Sequence, residues 1–197
     1  MIDSGSDRTP ESVMQRFDIG DPIVILPRFA DLYPVYRGTV TGMKSDPFRP
    51  AFTEYTIQFP DGSTTNLFEF QILEAEPNCE TFLAAFVLDS HQEPAPAEHR
   101  GQTPDRRIIL QTQTIDIDMK IEARQHEASI IGQILERETT NFVSRAVVTL
   151  MRDNIPITST TTDATGTFRF AAIGRGALNI QVVIRADSSR ILGAFPT

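Results

Sequence analysis

The 197-residue sequence contains no tryptophan, one cysteine and three histidines. The single cysteine, Cys79, excludes an intrachain disulfide and argues against a cysteine-based zinc site. A cysteine nucleophile needs a histidine beside it, and two of the histidines, His91 and His99, fall in a stretch with the composition of a linker. We therefore interpret Cys79 as a small, partly buried apolar residue.

The sequence also lacks a long hydrophobic run and a targeting signal. No apolar segment approaches the roughly 20 residues that a membrane-spanning helix needs. Residues 1–7 are polar and acidic, with neither the basic nor the apolar region of a signal peptide. These absences predict a cytoplasmic protein without a membrane partner. We expect residues 1–15 to form a flexible N-terminus.

Recognisable catalytic and metal-binding motifs are missing as well. There is no G-x-S-x-G elbow and no glycine-rich phosphate loop. Asp116 and Asp118 share one strand face, but two carboxylates on a flat strand make a poor calcium site. Asp163 is explained by a turn, and His126 beside Glu127 has no second histidine at ligand spacing. We predict that the protein is not an enzyme and has no metal or cofactor.

Charge is distributed unevenly along the chain, whose net charge is −8. Residues 1–76 carry 12 acidic and 6 basic side chains, whereas residues 106–197 carry 9 and 11. Binding to phosphates needs a basic surface, so this acidic first part argues against a general nucleic-acid-binding protein.

The clearest positive signal is a β-hairpin centred on residues 160–170. The side chain of Asp163 can bond backbone groups two residues on, and Gly166 can adopt a left-handed conformation without a Cβ clash. Phe168 and Phe170 then share one face of the following strand. This pattern predicts strand, tight turn and strand.

Short β-strands separated by turn residues also fill residues 17–74. Residues 17–27 are predicted to form a turn that leads into a short strand, and further strands are predicted at residues 36–43, 54–59 and 63–70, with residues 71–73 as a fifth that closes the sheet. Ile19-Gly20-Asp21 precedes the first strand, Arg37-Gly38-Thr39-Val40 opens the second, and Asp61-Gly62 follows the third. This order of features resembles the SH3-like barrels, including Tudor-like and KOW-like modules. The resemblance implies a small barrel and carries no functional residues with it.

The second half is β throughout, with about seven predicted strands. An ordered series of patterns runs through it: residues 130–135, 144–150 and 162–170, then Ile173 and Gly176 before the last strand. This series resembles the carboxypeptidase regulatory-like domain over residues 106–186, although the family more often has an aromatic residue after the position of Gly176. The resemblance implies a transthyretin-like β-sandwich that acts as an accessory module and not as a peptidase. Similar bacterial domains are associated with regulators of the sigma and anti-sigma type.

The sequence thus predicts an all-β protein with an N-terminal SH3-like small barrel and a C-terminal antiparallel transthyretin/Ig-like β-sandwich. The predicted domains are residues 16–75 for the barrel and 106–197 for the sandwich. Residues 76–105 are predicted to be a connecting segment and a proline-containing linker. Within that segment we expect residues 76–88 to include a strand packed on one of the domains.

Ten of the 16 aromatic residues lie between Phe17 and Phe70, and several fall in two loops, residues 28–36 and 46–52. Aromatic loop residues in SH3-like folds often hold a peptide, but large aromatic side chains also fill the core of a small barrel. Both interpretations stay open. The candidate partner-binding residues are Phe29, Tyr33, Tyr36, Phe48, Arg49 and Phe52.

Two function hypotheses follow from these observations. The first is a non-catalytic adaptor or regulatory accessory protein that binds a protein partner through the aromatic loops or through an edge strand of the sandwich. The second is a nucleic-acid-associated protein that acts through the barrel. It would use four basic residues near the aromatic loops: Arg28, Arg37, Lys44 and Arg49.

Overall fold

A computed structural model describes residues 16–46, 48–49, 52–90, 105–123, 127–152 and 155–197. The predicted flexible N-terminus, residues 91–104 of the predicted linker and all three histidines lie outside these described residues. Across the described ranges, no helix is long and apolar enough to cross a membrane. The cytoplasmic location stays a prediction.

Three five-stranded sheets make up the fold, which confirms the all-β class. Sheet 1 belongs to the N-terminal half and has the strand order β4-β3-β2-β1-β5, with every neighbouring pair antiparallel. Its elements are β1 (Pro22–Ile25), the one-turn helix α1 (Pro27–Ala30), β2 (Arg37–Lys44), β3 (Glu54–Gln58), β4 (Thr64–Phe68), a 3-10 helix (Glu69–Gln71) and β5 (Ile72–Glu74).

The other ten strands form two further sheets. They are β6 (Glu80–Leu83), β7 (Ala85–Asp89), β8 (Arg106–Gln111), β9 (Ile115–Ala123), β10 (Glu127–Glu136), β11 (Val147–Arg152), β12 (Ile155–Thr161), β13 (Thr167–Gly174), β14 (Ala177–Ile184) and β15 (Ser189–Pro196). Sheet 2 has the order β12-β11-β14-β15-β6, and sheet 3 has the order β13-β10-β9-β8-β7. Buried side chains from both sheets form one core, so they pack face to face as a sandwich.

The core forms because apolar and polar side chains alternate along the strands, so that one face of each strand is apolar. In β9 every second side chain is buried, as in Ile117, Met119 and Ile121, while the residues between them face outward. The predicted strand, tight turn and strand around Asp163 are present, but the prediction of a hairpin is wrong. β12 pairs with β11 in sheet 2 and β13 pairs with β10 in sheet 3, so the turn connects the two sheets. The Asp163 carboxylate accepts hydrogen bonds from the backbone N–H groups of Thr165 and Thr167, and Gly166 has a φ of +68°.

The segment between the predicted domains supplies strands to both sheets. Residues 76–90 contain β6 and β7, separated only by Ala84. β6 pairs in parallel with β15 at the edge of sheet 2, whereas β7 pairs with β8 at the edge of sheet 3. The expectation of a strand in this segment is confirmed, and the chain crosses from one sheet to the other at Ala84.

The N-terminal half packs against the outer face of sheet 2. β1 is apolar at consecutive positions because both of its faces are covered: Ile23 and Ile25 point into the core of sheet 1, and Val24 points to the sandwich. Val24, Leu26 and Leu73 meet Met151 and Leu192 in a separate buried cluster. We call this cluster, together with the polar contacts around it, the domain junction.

A buried arginine links the polar groups of the domain junction. The side chain of Arg190 on β15 is 3% exposed, and its guanidinium donates to the Glu74 carbonyl at 2.9 Å and to Thr81 Oγ1 at 3.3 Å. The carbonyl of Thr81 in turn accepts from the Tyr36 hydroxyl and the Arg37 guanidinium, both at 3.0 Å. Burial lowers the pKa of Arg190 from its ordinary value, and these acceptors offset the cost of desolvating its charge.

We predict that Arg190→Met weakens the fold substantially. The substitution keeps a long side chain but leaves the Glu74 carbonyl and Thr81 Oγ1 without their donor, so the free energy of unfolding should fall by about 3 kcal/mol. Urea unfolding followed by circular dichroism measures this change. The control is Arg185→Met, because Arg185 is exposed and its replacement should change stability by less than about 0.5 kcal/mol. If Arg190→Met is as stable as the wild-type chain, Arg190 does not stabilise the domain junction.

Candidate partner-binding surface at the domain junction

The structure brings three of the predicted site residues to one surface. Phe29 lies in α1, and Phe52 and Arg49 come from the loop between β2 and β3. The predicted loop 28–36 thus begins inside a helical turn, which Pro27 favours because its fixed φ suits the first position of a helix. Phe70 of the 3-10 helix lies between Phe29 and Phe52, with its ring centroid 5.9 Å from each of theirs.

Four phenylalanines form a continuous row on this surface. Phe68 stacks on Phe70 at 5.6 Å with an interplanar angle of 12°, and it meets Phe52 edge-on at 5.8 Å. Phe52 and Phe68 are 47% and 37% exposed, whereas Phe29 and Phe70 are half-buried. We call Phe29, Phe52, Phe68 and Phe70 the aromatic row.

An arginine lies over each end of the aromatic row. The guanidinium carbon of Arg28 is 5.9 Å from the ring centroid of Phe29, and that of Arg49 is 5.1 Å from the centroid of Phe52. Both distances fall within the range of a cation–π contact. Arg49 also pairs with Asp46 at 3.1 Å. The pKa of Asp46 lies below its ordinary value, chiefly because its carboxylate accepts the backbone N–H of Phe48.

The remaining predicted residues lie apart from the aromatic row. Tyr33 packs on Phe59 at 5.9 Å beside the core of sheet 1. Tyr36 belongs to the domain junction, where its hydroxyl donates to Thr81. Phe48 is 91% exposed, and its ring contacts no other ring within the described residues. The structure therefore assigns different surroundings to the six candidates.

Tyr55 holds the 3-10 helix that presents Phe70. Its hydroxyl bonds Glu69 Oε2 at 3.1 Å, and its ring packs edge-on against Phe17 in the core of sheet 1. Burial first, and the nearby Glu69 carboxylate second, raise the pKa of Tyr55 to about 12. The aromatic row is thus anchored to the core through the hydrogen bond between the buried Tyr55 and the partly buried Glu69.

A groove continues from the aromatic row into the domain junction. It has a volume of about 500 Å³. Leu26, Arg28, Phe29 and Phe70 line it from the N-terminal half. Residues from β14 and β15 line it from the sandwich: Ala177, Leu178, Asn179, Ala194, Phe195 and Pro196. We call this feature the junction groove, and both halves of the chain are required to form it.

Residues tested for catalytic or metal chemistry occupy structural positions. Asp116 pairs with Arg137, and Asp118 pairs with Arg107. Burial and the neighbouring Glu76 raise the pKa of the Cys79 thiol, which disfavours a reactive thiolate. Over the part of the chain that the structure describes, no group of three or more histidine, cysteine, aspartate or glutamate side chains is placed to hold a metal ion.

Sequence reasoning missed Phe68, Phe70 and Arg28 as members of this surface. Alternation does carry the signal for Phe68: Leu67 points into the core, so its neighbour must point outward. The sequence indicates Arg28 only as a possible nucleic-acid contact. The groove-lining residues of β14 and β15 have no local signature, because the groove exists only where the two halves meet.

Comparison with protein-family models, curated proteins and solved structures finds no match to this chain.

We predict that Glu69→Gln lowers the pKa of Tyr55 part of the way from about 12 towards its ordinary value, because it removes a negative charge but leaves the ring buried. A raised pKa in the folded state stabilises the fold below the unfolded value of about 10, and this contribution is lost as pH rises from there towards the folded pKa. Ultraviolet absorbance of tyrosinate against pH measures the titration.

Two variants are the controls for this titration. Tyr55→Phe should remove the high-pH phase, and Glu54→Gln, next to Tyr55 in sequence but without its hydrogen bond, should leave the phase in place. A Tyr55 titration unchanged by Glu69→Gln would show that Glu69 does not act on the phenol.

Proposed function

We propose that this protein is a non-catalytic interaction protein that binds a protein partner through the aromatic row. The observation that carries the proposal is the chain of four phenylalanine rings, two of them more than a third exposed, with a guanidinium over each end. Exposing apolar surface to water is unfavourable in free energy, so large exposed apolar patches often mark binding sites. Aromatic residues and arginine are both enriched in protein–protein interfaces.

The alternative role of the aromatics, filling the core, accounts for a different subset. Phe17, Tyr55 and Phe59 are at most 5% exposed and belong to the core of sheet 1. That core is complete without Phe52 and Phe68, which lie outside the buried clusters. Packing therefore does not explain the exposed part of the aromatic row.

The architecture supports the same class of function. Sheet 1 joins its first strand to its second and to its fifth, and a 3-10 helix precedes the fifth strand. We infer from this order that the N-terminal half is an SH3-like barrel, and from the two face-packed sheets that the second half is a transthyretin-like sandwich. Such folds commonly serve as interaction modules, although a fold alone does not fix a function. A partner of the sigma or anti-sigma type is suggested by the family resemblance only.

The edge-strand route to a partner is less favoured than the aromatic row. β12 is an exposed edge of sheet 2, with Ile155 68% exposed. However, Pro156 removes one backbone donor from this strand, and proline on an edge strand discourages the addition of another strand. 

Nucleic-acid binding through the barrel is the second hypothesis from the sequence, and the local charges disfavour it. Arg37 donates to the Thr81 carbonyl, and Arg49 pairs with Asp46. A phosphate backbone needs several free cations along its path. We therefore favour a protein partner.

The test replaces Phe52 and Phe68 together by serine in the full chain. The double variant should capture at least about tenfold less partner in a pull-down from lysate of the source cells, because truncating an aromatic side chain that a partner buries typically costs roughly 2 kcal/mol or more. Phe142→Ser is the matched control, since Phe142 is 48% exposed and lies on the sandwich.

Nuclease treatment of the lysate separates the two hypotheses. Capture that survives nuclease and is lost with the double variant supports a protein partner on the aromatic row. Capture abolished by nuclease would instead support the nucleic-acid hypothesis. Capture that is equal for the double variant and the Phe142→Ser control would contradict the role of the aromatic row.

A further inference from the structure

We propose that the junction groove binds an extended peptide segment in which an apolar side chain lies next to an acidic one. The apolar side chain would occupy the groove, and the carboxylate would pair with Arg28. This inference rests on the proposed function, because it specifies the partner's chemistry and the part of the surface that recognises it.

The shape of the junction groove suits one or two apolar side chains. Its volume of about 500 Å³ falls within the range of roughly 300 to 1,000 Å³ that is usual for ligand sites. Phe29 and Phe70 line it from the N-terminal half, while Ala177 and Ala194 present only methyl groups from the sandwich. Two small side chains beside two large rings leave room for an anchoring residue of a partner.

The positive charge of Arg28 in the junction groove favours an acidic side chain next to the apolar one in the bound peptide. Arg28 is the only charged residue among those lining the groove. Within the described residues Arg28 has no ion pair and no hydrogen bond, and its contact is with the ring of Phe29. A free guanidinium held over a ring at the rim of an apolar groove favours a carboxylate, which it can bind with two parallel hydrogen bonds.

Unpaired polar groups in the groove fit the backbone of an extended peptide. The amide of Asn179 lines the groove and makes no hydrogen bond within the described ranges. It offers both a donor and an acceptor to a peptide unit.

The edge of β15 adds a second pair of backbone groups. The Leu192 carbonyl accepts the Ala84 N–H at 2.8 Å, so it points towards β6. Backbone direction alternates along a strand, and the N–H and C=O of Ala194 therefore point the same way. Pairing with β6 ends at Leu192, and in the described part of the chain these two groups have no partner.

Arg28, as the one charged residue in the lining of the groove, also favours an acidic peptide over nucleic acid and over a basic peptide. One cation beside apolar walls matches one carboxylate flanked by apolar residues, whereas a nucleic-acid backbone would need a row of cations. A basic segment would meet like charge at Arg28 and lose the pairing that the groove offers.

The experiment is a selection of linear peptides from a random phage-displayed library on the immobilised full chain, followed by affinity measurement on synthetic peptides by fluorescence anisotropy. We expect the enriched peptides to carry an aliphatic or aromatic residue adjacent to aspartate or glutamate. Arg28→Glu should weaken their binding at least about tenfold, the equivalent of one charge-assisted contact. The same selection on Arg28→Glu should enrich lysine or arginine instead.

Two further variants control the result. Arg185→Glu makes the same charge change at the end of β14 that lies away from the groove, so it should bind the enriched peptides like wild type. Ala177→Trp fills the groove from an exposed position and should abolish binding, while circular dichroism reports whether the fold is kept.

Several outcomes would overturn the inference. These are the absence of enriched peptides, enriched peptides that bind Arg28→Glu and Ala177→Trp like wild type, or self-association of the chain that Ala177→Trp abolishes. A different result would reject the proposed function: the double variant at Phe52 and Phe68 would capture as much partner from lysate as the wild-type chain does. Capture that depends on those two residues but ignores Arg28 would retain the proposed function and reject the junction groove as the peptide site.

Discussion

The domain junction is the constraint on which the candidate binding surface depends. β1 buries side chains on both of its faces, and Arg190 bonds the end of β5 and the start of β6 from the neighbouring strand β15. An arginine buried to this degree is stable only when its donors are satisfied, so the three segments must keep one arrangement. We therefore expect the two halves to behave as a single body.

This arrangement explains why the candidate site lies where it does. The aromatic row is fixed near its centre by the hydrogen bond between Tyr55 and Glu69, which orients the 3-10 helix carrying Phe70. At one end of the row, Phe29 packs against the domain junction itself. The junction groove lies between these anchors, and neither the N-terminal half nor the sandwich has all of its lining residues. A partner that binds the proposed surface would meet preformed contacts, which avoids much of the ordering cost of binding.

Local sequence patterns predicted the parts of the fold that depend on neighbours in the chain. The alternation in β9 and the turn chemistry of Asp163 with Gly166 were both confirmed. The candidate site was predicted only in part: Phe29, Arg49 and Phe52 share a surface, while Tyr36 serves the domain junction. Contacts between distant segments leave no local pattern. Arg190 and Glu74 are 116 positions apart, and no feature of either residue in sequence indicates the other.

Equilibrium urea unfolding of the wild-type chain, followed by two probes, tests the central claim most directly. All three tyrosines lie between residues 33 and 55 and there is no tryptophan, so intrinsic fluorescence reports on the N-terminal half alone. Far-ultraviolet circular dichroism reports mainly on the sandwich, which holds most of the strands. We predict coincident transitions, because the domain junction couples the halves. Two separated midpoints would show that the halves unfold independently. The domain junction would then not hold the two sides of the junction groove in a fixed arrangement.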